Sequence, residues 1–162
     1  MKASLAKFLK LMIPSIGLGL LVILLGILLS GCQTKTVSKL NTSYYASFDL
    51  NPDLNARPSP LVVWVYQLKS LSSFQDLDYF ALDTDAKLAL GDSLLFQETI
   101  ELRPNQILET ETVLSPETQW VAFVASYRNI EAATWKAAVS CKSIRKKTLK
   151  VFLSSKVIEI KK

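Results

Sequence analysis

A long apolar run near the N-terminus, closed by Leu29-Ser30-Gly31-Cys32, is the feature that most limits how this 162-residue chain can fold. Three lysines precede the run: Lys2, Lys7 and Lys10. A basic start, an apolar stretch and small residues before a cleavage point are typical of a secretory signal, and a cysteine at that point is typical of a bacterial lipoprotein. We predict cleavage before Cys32, acylation of this residue, and a mature protein that is anchored to a membrane.

The alternative is an uncleaved transmembrane helix. Residues 11–29 approach the roughly 20 apolar residues that cross a bilayer, and they exceed the usual signal core of about 7–15 residues. The position of Cys32 at the outer end of the run favours the lipoprotein, and Gln33 after it is typical of export to the outer membrane. We predict a signal peptide over 1–31, a lipidated tether over 32–42 and a folded periplasmic domain over 43–162.

The charge of the mature chain argues against a nucleic-acid partner. The whole chain has 19 basic and 14 acidic residues, but the signal contributes three lysines and no acid, which leaves 16 and 14 and a net charge of +2. This small excess gives little support for binding a polyanion. From Lys136 onward, nine basic residues accompany the single Glu159. We interpret them as solvated strand faces and edges, or as a basic surface for membrane phosphates or an acidic partner.

The residue types limit the possible chemistry. The chain has no histidine, so the usual nucleophile–His pairs and His-rich zinc sites are excluded. With the other cysteine acylated, Cys141 has no disulfide partner, and we expect it to be a small buried side chain. Asp76/Asp78 and Asp83/Asp85 remain as candidate acid–base pairs, although such aspartates are also common as helix caps and in turns. We predict that the protein is not an enzyme and that it has no cofactor, no metal site and no small-molecule substrate.

Alternating apolar residues predict about eight short strands, beginning near Ser43. Residues 61–68 are apolar on both faces, as expected of a central strand. Residues 94–102 and 107–114 are predicted to form a hairpin around a type II turn, in which Asn105 tolerates a positive φ. Further strands are predicted over 120–127, 135–140, 148–153 and 157–160. The pattern is typical of an antiparallel β-sandwich.

A helical insertion is predicted between strands 2 and 3. Phe74, Leu77 and Ala81 recur at helical spacing, and either Ser72-x-x-Gln75 or Ser73-x-x-Asp76 resembles a capping box. We expect a helix over about residues 73–82 and another turn near 85–88.

Residues 51–60, between the first two strands, contain three prolines and two asparagines, which exclude a strand ladder and indicate a stiff, exposed loop. Either it is a binding loop, in which prolines reduce the entropy lost on docking and Arg57 offers a forked donor for carboxylates, or its prolines only end the strands. Trp64, Trp120 and Trp135 are interpreted as core residues or, alternatively, as interface anchors.

An ordered set of motifs covers nearly the whole mature domain. It comprises the lipobox at Cys32, Asp49-Leu50-Asn51-Pro52, Val65-Tyr66-Gln67-Leu68, Asp78-Tyr79-Phe80-Ala81-Leu82 and Tyr127-Arg128. In this order the motifs resemble those of the outer-membrane lipoprotein of the type VI secretion system, the TssJ family.

The resemblance implies a transthyretin-like β-sandwich of about eight strands with an added helix, attached to the outer membrane and facing the periplasm. It also implies a partner, the C-terminal periplasmic domain of the inner-membrane subunit TssM. The family's partner-binding loop corresponds to Asn51, Pro52, Asp53, Leu54, Asn55, Ala56, Arg57 and Pro58. Ala56 stands where the family often has glycine. The competing hypotheses are a lipoprotein that binds glycan or peptide through its sandwich surface, and an anchored enzyme.

Overall fold

The computed structural model describes residues 38–161; Cys32, the predicted signal peptide and the first part of the predicted tether lie outside the described residues. The strands are β1 (Ser38–Ala46), β2 (Leu61–Leu68), β3 (Leu94–Leu102), β4 (Ile107–Leu114), β5 (Trp120–Ala125), β6 (Lys136–Ser140), β7 (Thr148–Leu153) and β8 (Ile158–Lys161). The helices α1 (Ser72–Asp76) and α2 (Tyr79–Leu90) lie between β2 and β3. The predicted helical insertion between the second and third strands is thus confirmed.

The first strand starts earlier than its alternation predicted. β1 begins at Ser38 rather than near Ser43, and Leu40 and Thr42 are buried in it. These residues pair with Thr112 and Thr110 of β4. Pairing and burial therefore extend the strand into a segment whose polar composition indicated a tether.

Two four-stranded sheets confirm the predicted β-sandwich. Their strand orders are β4-β1-β7-β8 and β3-β2-β5-β6. Among these strand pairs, β1–β7 is parallel and the others are antiparallel. The sandwich is therefore mostly antiparallel, and the parallel pair is a feature that the sequence did not predict.

The predicted hairpin of β3 and β4 is wrong, although the bounds of both strands are correct. β3 pairs with β2, and β4 pairs with β1 in the other sheet. The turn itself forms as predicted: Asn105 has a φ of 60°, and the Gln106 amide donates to the Arg103 carbonyl at 3.1 Å. The turn carries the chain from one sheet to the other. The pairing was predicted wrongly because local sequence signals indicate where a strand ends but not which strand it pairs with.

Apolar residues form two clusters, one on each face of the second sheet. The cluster between the sheets includes Tyr44, Leu61, Phe123 and Leu149. The other lies under the helices and includes Tyr66, Leu68, Phe74, Leu82 and Leu90. The strands β2 and β5 are covered on both sides, which explains why their sequences are apolar on both faces. All three tryptophans are half-buried against the cluster under the helices, as the core interpretation predicted.

A lysine, rather than a capping box, fixes α1. The residue before this helix, Leu71, makes no side-chain cap, so the capping-box prediction is wrong. At the other end, the Lys136 Nζ donates to the carbonyls of Phe74, Gln75 and Leu77 at 3.3, 2.7 and 2.8 Å. These carbonyls have few partners within so short a helix, and a cation there also opposes the negative end of the helix dipole. Desolvation lowers the pKa of Lys136.

Strand direction gives the sandwich two ends. The "tether end" contains Ser38 and the connections 115–119 and 141–147; the "loop end" contains the β1–β2 loop and the connections 103–106, 126–135 and 154–157. Because β1 has nine residues at about 3.3 Å each, the two ends are roughly 25–30 Å apart.

A buried amide joins the two sheets near the tether end. Gln67, in β2, is almost fully buried. Its Nε2 donates to the Val113 carbonyl at 2.9 Å, and its Oε1 accepts from the Ser115 amide at 2.8 Å and from the Thr118 hydroxyl at 2.9 Å. The side chain thereby provides hydrogen-bond partners for backbone groups at the end of β4 and just beyond it. Buried backbone groups need such partners within the protein.

We expect Gln67→Leu to lower the free energy of unfolding by about 2–4 kcal/mol, because it leaves the Val113 carbonyl and the Ser115 amide without partners. Urea denaturation measures the loss. Gln97→Leu, on the exposed side of β3, is the matched control and should change stability by less than about 0.5 kcal/mol. Equal losses in the two variants would contradict the assigned role of Gln67.

Candidate functional site

The β1–β2 loop is attached to the sandwich through a buried asparagine. Asn51 is 4% exposed and has a φ of 46°, a left-handed conformation that asparagine tolerates better than most residues. Its Nδ2 donates to the Pro60 carbonyl at 2.7 Å, and its Oδ1 accepts from the Arg128 amide at 2.9 Å. One side chain therefore connects the loop to the start of β2 and to the segment that follows β5.

Ser59 and Arg128 close the base of the loop. The Ser59 amide donates to the carbonyl of the fully buried Leu50 at 3.0 Å. The Ser59 hydroxyl donates to the Asn51 carbonyl and accepts from the Arg128 Nε at 3.0 Å. The predicted stiffness of the loop thus arises from hydrogen bonds across its base as well as from its prolines.

Asp53 organises the tip of the loop. Its Oδ1 accepts from the amides of Asn55 and Arg57 at 2.9 and 3.0 Å, and its Oδ2 accepts from the Nε and Nη2 of Arg57 at 2.8 and 2.7 Å. These bonds, led by that of the Arg57 side chain, lower the pKa of Asp53. Since Arg57 already uses two of its donors on Asp53, its guanidinium acts within the loop and is not a free fork for a carboxylate.

Ala56 completes the turn without a glycine. Its φ is 57°, and its amide donates to the Asp53 carbonyl at 2.9 Å. A residue with a Cβ in this conformation costs roughly 1–2 kcal/mol. The hydrogen bonds to Asp53 are strong enough to keep Ala56 in a conformation that glycine would adopt more readily.

The loop presents apolar side chains beside a groove. Leu54 is fully exposed at the tip, and Phe48, just before the loop, is 77% exposed. A groove of about 950 Å³ runs along the loop. Residues 51–56, 128–131 and 155–156 line it, and they include Ile130 and Lys156. A rigid loop with an apolar tip beside an open groove is suited to binding another protein.

The eight predicted partner-binding residues therefore have two different roles. Asn51 is buried at the base, and Pro52 and Asp53 are half-buried. The remaining five are exposed: Leu54, Asn55, Ala56, Arg57 and Pro58. Arg128 and Ser59 complete the site but were not predicted. Arg128 lies 77 positions from Asn51, and nothing in a single sequence indicates that these residues meet.

One aspartate of each candidate acid–base pair caps a helical segment. The Asp78 Oδ1 accepts from the Ala81 amide at 2.8 Å at the start of α2. Asp85 interrupts that helix with a φ of −157° and accepts from the Leu88 amide at 2.9 Å. Both aspartates are thus helix caps. The predicted helix over residues 73–82 is divided at Leu77, where the backbone is extended before Asp78 starts the second helix, and the further turn predicted near 85–88 is part of α2.

Within residues 38–161, neither a cluster of metal ligands nor a membrane-spanning helix is found. No group of three or more Cys, Asp or Glu side chains within residues 38–161 could hold a metal ion. Cys141 is half-buried against the core, and this burial raises the pKa of its thiol, which remains protonated at neutral pH. No helix in this part of the chain is long and apolar enough to cross a membrane.

The fold and the loop define a β-sandwich with a preorganised, exposed loop, and the family follows from comparison with known proteins. The family model described as "Type VI secretion lipoprotein, VasD, EvfM, TssJ" matches residues 38–156. The chain therefore belongs to the type VI secretion lipoprotein (TssJ) family, as its motifs predicted. This is a family of secretion-system lipoproteins, not of enzymes, and its members are anchored to a membrane.

Solved structures share the fold. TssJ1 from Pseudomonas aeruginosa is 31% identical, with a TM-score of 0.72 over 77% of this chain and 95% of that one. Serratia marcescens Lip, a membrane-bound component of the type VI secretion system, is 23% identical, with a TM-score of 0.71 over 78% and 98%. A chain in the structure described as the TssM C-terminal domain from EAEC is 20% identical, with a TM-score of 0.68 over 76% and 98%. No curated protein sequence matches significantly.

The lowered pKa of Asp53 predicts how the loop responds to acid. The ionised carboxylate stabilises the loop above the ordinary aspartate pKa, and this contribution is lost as the pH falls through the lowered value. We expect the amide NMR shifts of Asn55 and Arg57 to titrate together, with a midpoint below the ordinary value of about 3.9. Arg57→Gln should return the midpoint toward that value. A midpoint that Arg57→Gln leaves unchanged would contradict the assigned ion pair.

Proposed function

We propose that this protein is an outer-membrane lipoprotein that binds the periplasmic C-terminal domain of TssM through the β1–β2 loop and so helps to assemble the type VI membrane complex. The proposal includes a signal peptide over 1–31, acylation of Cys32 and a tether that leads into the folded domain. Within the loop, the exposed residues 54–58 contact the partner, and Asn51 to Asp53 hold them in position.

The single observation that carries the proposal is the exposed Leu54 on a loop that is fixed at both base and tip. A flexible loop would lose conformational entropy on docking, whereas the hydrogen bonds of Asn51 and Asp53 order this one in the free protein. An exposed leucine has no stabilising role in the sandwich itself. Its side chain is instead suited to fill a pocket on a partner protein.

The position of the loop supports the same function. Cys32 precedes Ser38, at the tether end, by six residues, whereas the loop is at the opposite end of the sandwich. An acyl anchor confines the domain to a thin layer beside the membrane, which raises its effective concentration toward a partner that reaches across the periplasm. The likeness to a chain in the structure of the TssM C-terminal domain supports TssM as this partner.

The sandwich surface gives less support to a glycan-binding lipoprotein. The outer face of the first sheet has a pocket of about 260 Å³ with Tyr45 and Phe152 in its lining. Their rings stack on each other at 4.8 Å, and the Lys161 Nζ lies 4.7 Å from the centre of the Phe152 ring. Because β7 lies between β1 and β8, these two partners approach Phe152 from opposite sides. Neither face of that ring is available to stack on a sugar.

Leu54→Ser tests the loop. We expect it to weaken binding to the purified TssM periplasmic domain by about tenfold or more, because exposed apolar anchors dominate such interfaces, with little change in melting temperature. Isothermal titration calorimetry measures the affinity. Leu88→Ser is the matched control, because Leu88 is also an exposed leucine but lies on α2. Equal affinities of the two variants would exclude Leu54 as an anchor.

Cys32→Ser tests the anchor. We expect the variant to lack acyl groups, to be lost from the outer-membrane fraction and to abolish secretion, while the folded domain still binds TssM in solution. Membrane fractionation and fatty-acid labelling measure these effects. Cys141→Ser is the control and should keep both label and location, because Cys141 is half-buried in the domain. Fatty-acid labelling that persists in Cys32→Ser would refute the assigned acylation site.

A further inference from the structure

The connection between β6 and β7 carries a dense group of positive charges, which we call the basic segment: Lys142, Arg145, Lys146 and Lys147. All four side chains are exposed, and residues 141–147 include no acid. Some cations elsewhere in residues 38–161 pair with acids. Lys39 pairs with Glu111 at 2.6 Å, and Lys69 pairs with Glu117 at 2.9 Å. None of the four cations of the basic segment forms an ion pair within residues 38–161. Their charges are therefore available to an external partner.

The basic segment has a fixed shape. The Cys141 amide donates to the Gln119 carbonyl at 2.8 Å, and the Ser143 hydroxyl donates to the Ser140 carbonyl at 2.7 Å. Ile144 packs against the core between the sheets, and its amide donates to the Cys141 carbonyl at 3.3 Å. These contacts anchor the connection to the sandwich, so that the cations are displayed on an ordered surface.

Stability of the fold does not explain the two consecutive lysines. Lys146 and Lys147 have φ angles of 52° and 54°, a conformation that costs a residue with a Cβ roughly 1–2 kcal/mol. Glycine or asparagine would fit both positions better. The chain nevertheless has lysine at both, which indicates that the charge itself has a use.

The parallel pairing of β1 and β7 puts the basic segment at the end of the sandwich where β1 begins. Thr148, directly after the segment, pairs with Asn41 of β1. The strand then leads back to Ser38, which is six residues from Cys32. Six residues span at most roughly 20 Å in any conformation. An acylated Cys32 would therefore keep the tether end close to the lipid headgroups.

We infer that the basic segment contacts anionic phospholipid headgroups of the membrane that holds the anchor. The inference rests on the proposed acylation of Cys32. Lysine and arginine bind phosphate through charge-assisted hydrogen bonds, and basic residues next to an anchor add to membrane attachment. Interfaces with proteins are centred on apolar anchors, whereas in this segment the apolar Ile144 is turned into the core. Contact with the headgroups directs the loop end, and with it Leu54, away from the bilayer.

Lysine footprinting of the acylated protein tests the inference. The protein is reconstituted in vesicles of phosphatidylcholine alone or with about 30 mol% phosphatidylglycerol, and labelling of each lysine by an amine-reactive reagent is followed by mass spectrometry. We expect Lys142, Lys146 and Lys147 to react at least about threefold more slowly in the anionic vesicles at low salt, with recovery at high salt. Lys156, at the loop end, should react equally in both.

Matched double variants distinguish an effect of the basic segment from an effect of the protein's net charge. Lys146→Asn/Lys147→Asn removes two charges and keeps a residue type that tolerates the left-handed conformation. Arg103→Gln/Lys156→Gln removes two exposed charges at the loop end. We expect the first variant to lose most of the protection of Lys142 and the second to keep it. Equal loss in both would show that net charge alone is responsible and would overturn the inference.

Two further outcomes decide against the inference. Equal labelling of Lys142 in neutral and anionic vesicles would refute the headgroup contact. Protection that arises only after the TssM periplasmic domain is added would assign the segment to an acidic protein surface instead. The mass of the N-terminal peptide shows in the same sample whether Cys32 is acylated. A missing acyl group would contradict the proposed function, whereas an acylated protein without protection would contradict only the headgroup contact.

Discussion

The parallel pairing of β1 with β7 determines which parts of this chain lie together. It aligns the start of β1 with the basic segment and the end of β1 with the turn before β8. The first alignment puts positive charge beside the proposed acyl anchor. The second puts the β1–β2 loop next to residues 155 and 156, which complete its groove. With β1 antiparallel to this neighbour, the basic segment would lie at the loop end and the turn before β8 would lie at the tether end.

Within the loop, polar side chains act on the backbone rather than on a substrate. Four residues form hydrogen bonds with one another and with nearby amides and carbonyls: Asn51, Asp53, Ser59 and Arg128. The exposed apolar side chain of Leu54 is what remains for a partner. This division of roles agrees with a family of lipoproteins that are not enzymes, as does the use of the candidate carboxylates Asp78 and Asp85 as helix caps.

The features that were predicted correctly are those that depend on residues close together in the sequence. The bounds of β2, β3, β4 and β7, and the left-handed Asn105, follow from alternation, β-branched residues and turn chemistry. The partners of β3 and β4 did not follow, because equivalent alternation fits either sheet. The helical insertion and its further turn near residues 85–88 were predicted, but the break at Leu77 was not, because the apolar repeat of Phe74, Leu77 and Ala81 continues through it. The importance of the β1–β2 loop came from the resemblance to TssJ, and its contact with Arg128 required the structure.

The place of β1 in its sheet has a mechanical consequence. This strand begins at the tether end, ends at the proposed binding loop, and is flanked by β4 and β7. If the proposed anchor and the proposed docking are correct, tension between the membrane and the partner would run along the axis of β1. The covalent backbone of this strand would carry that tension from one end to the other, and the ladders on both sides would not have to be unzipped. A domain built in this way resists traction along the line on which a machine spanning the cell envelope would pull.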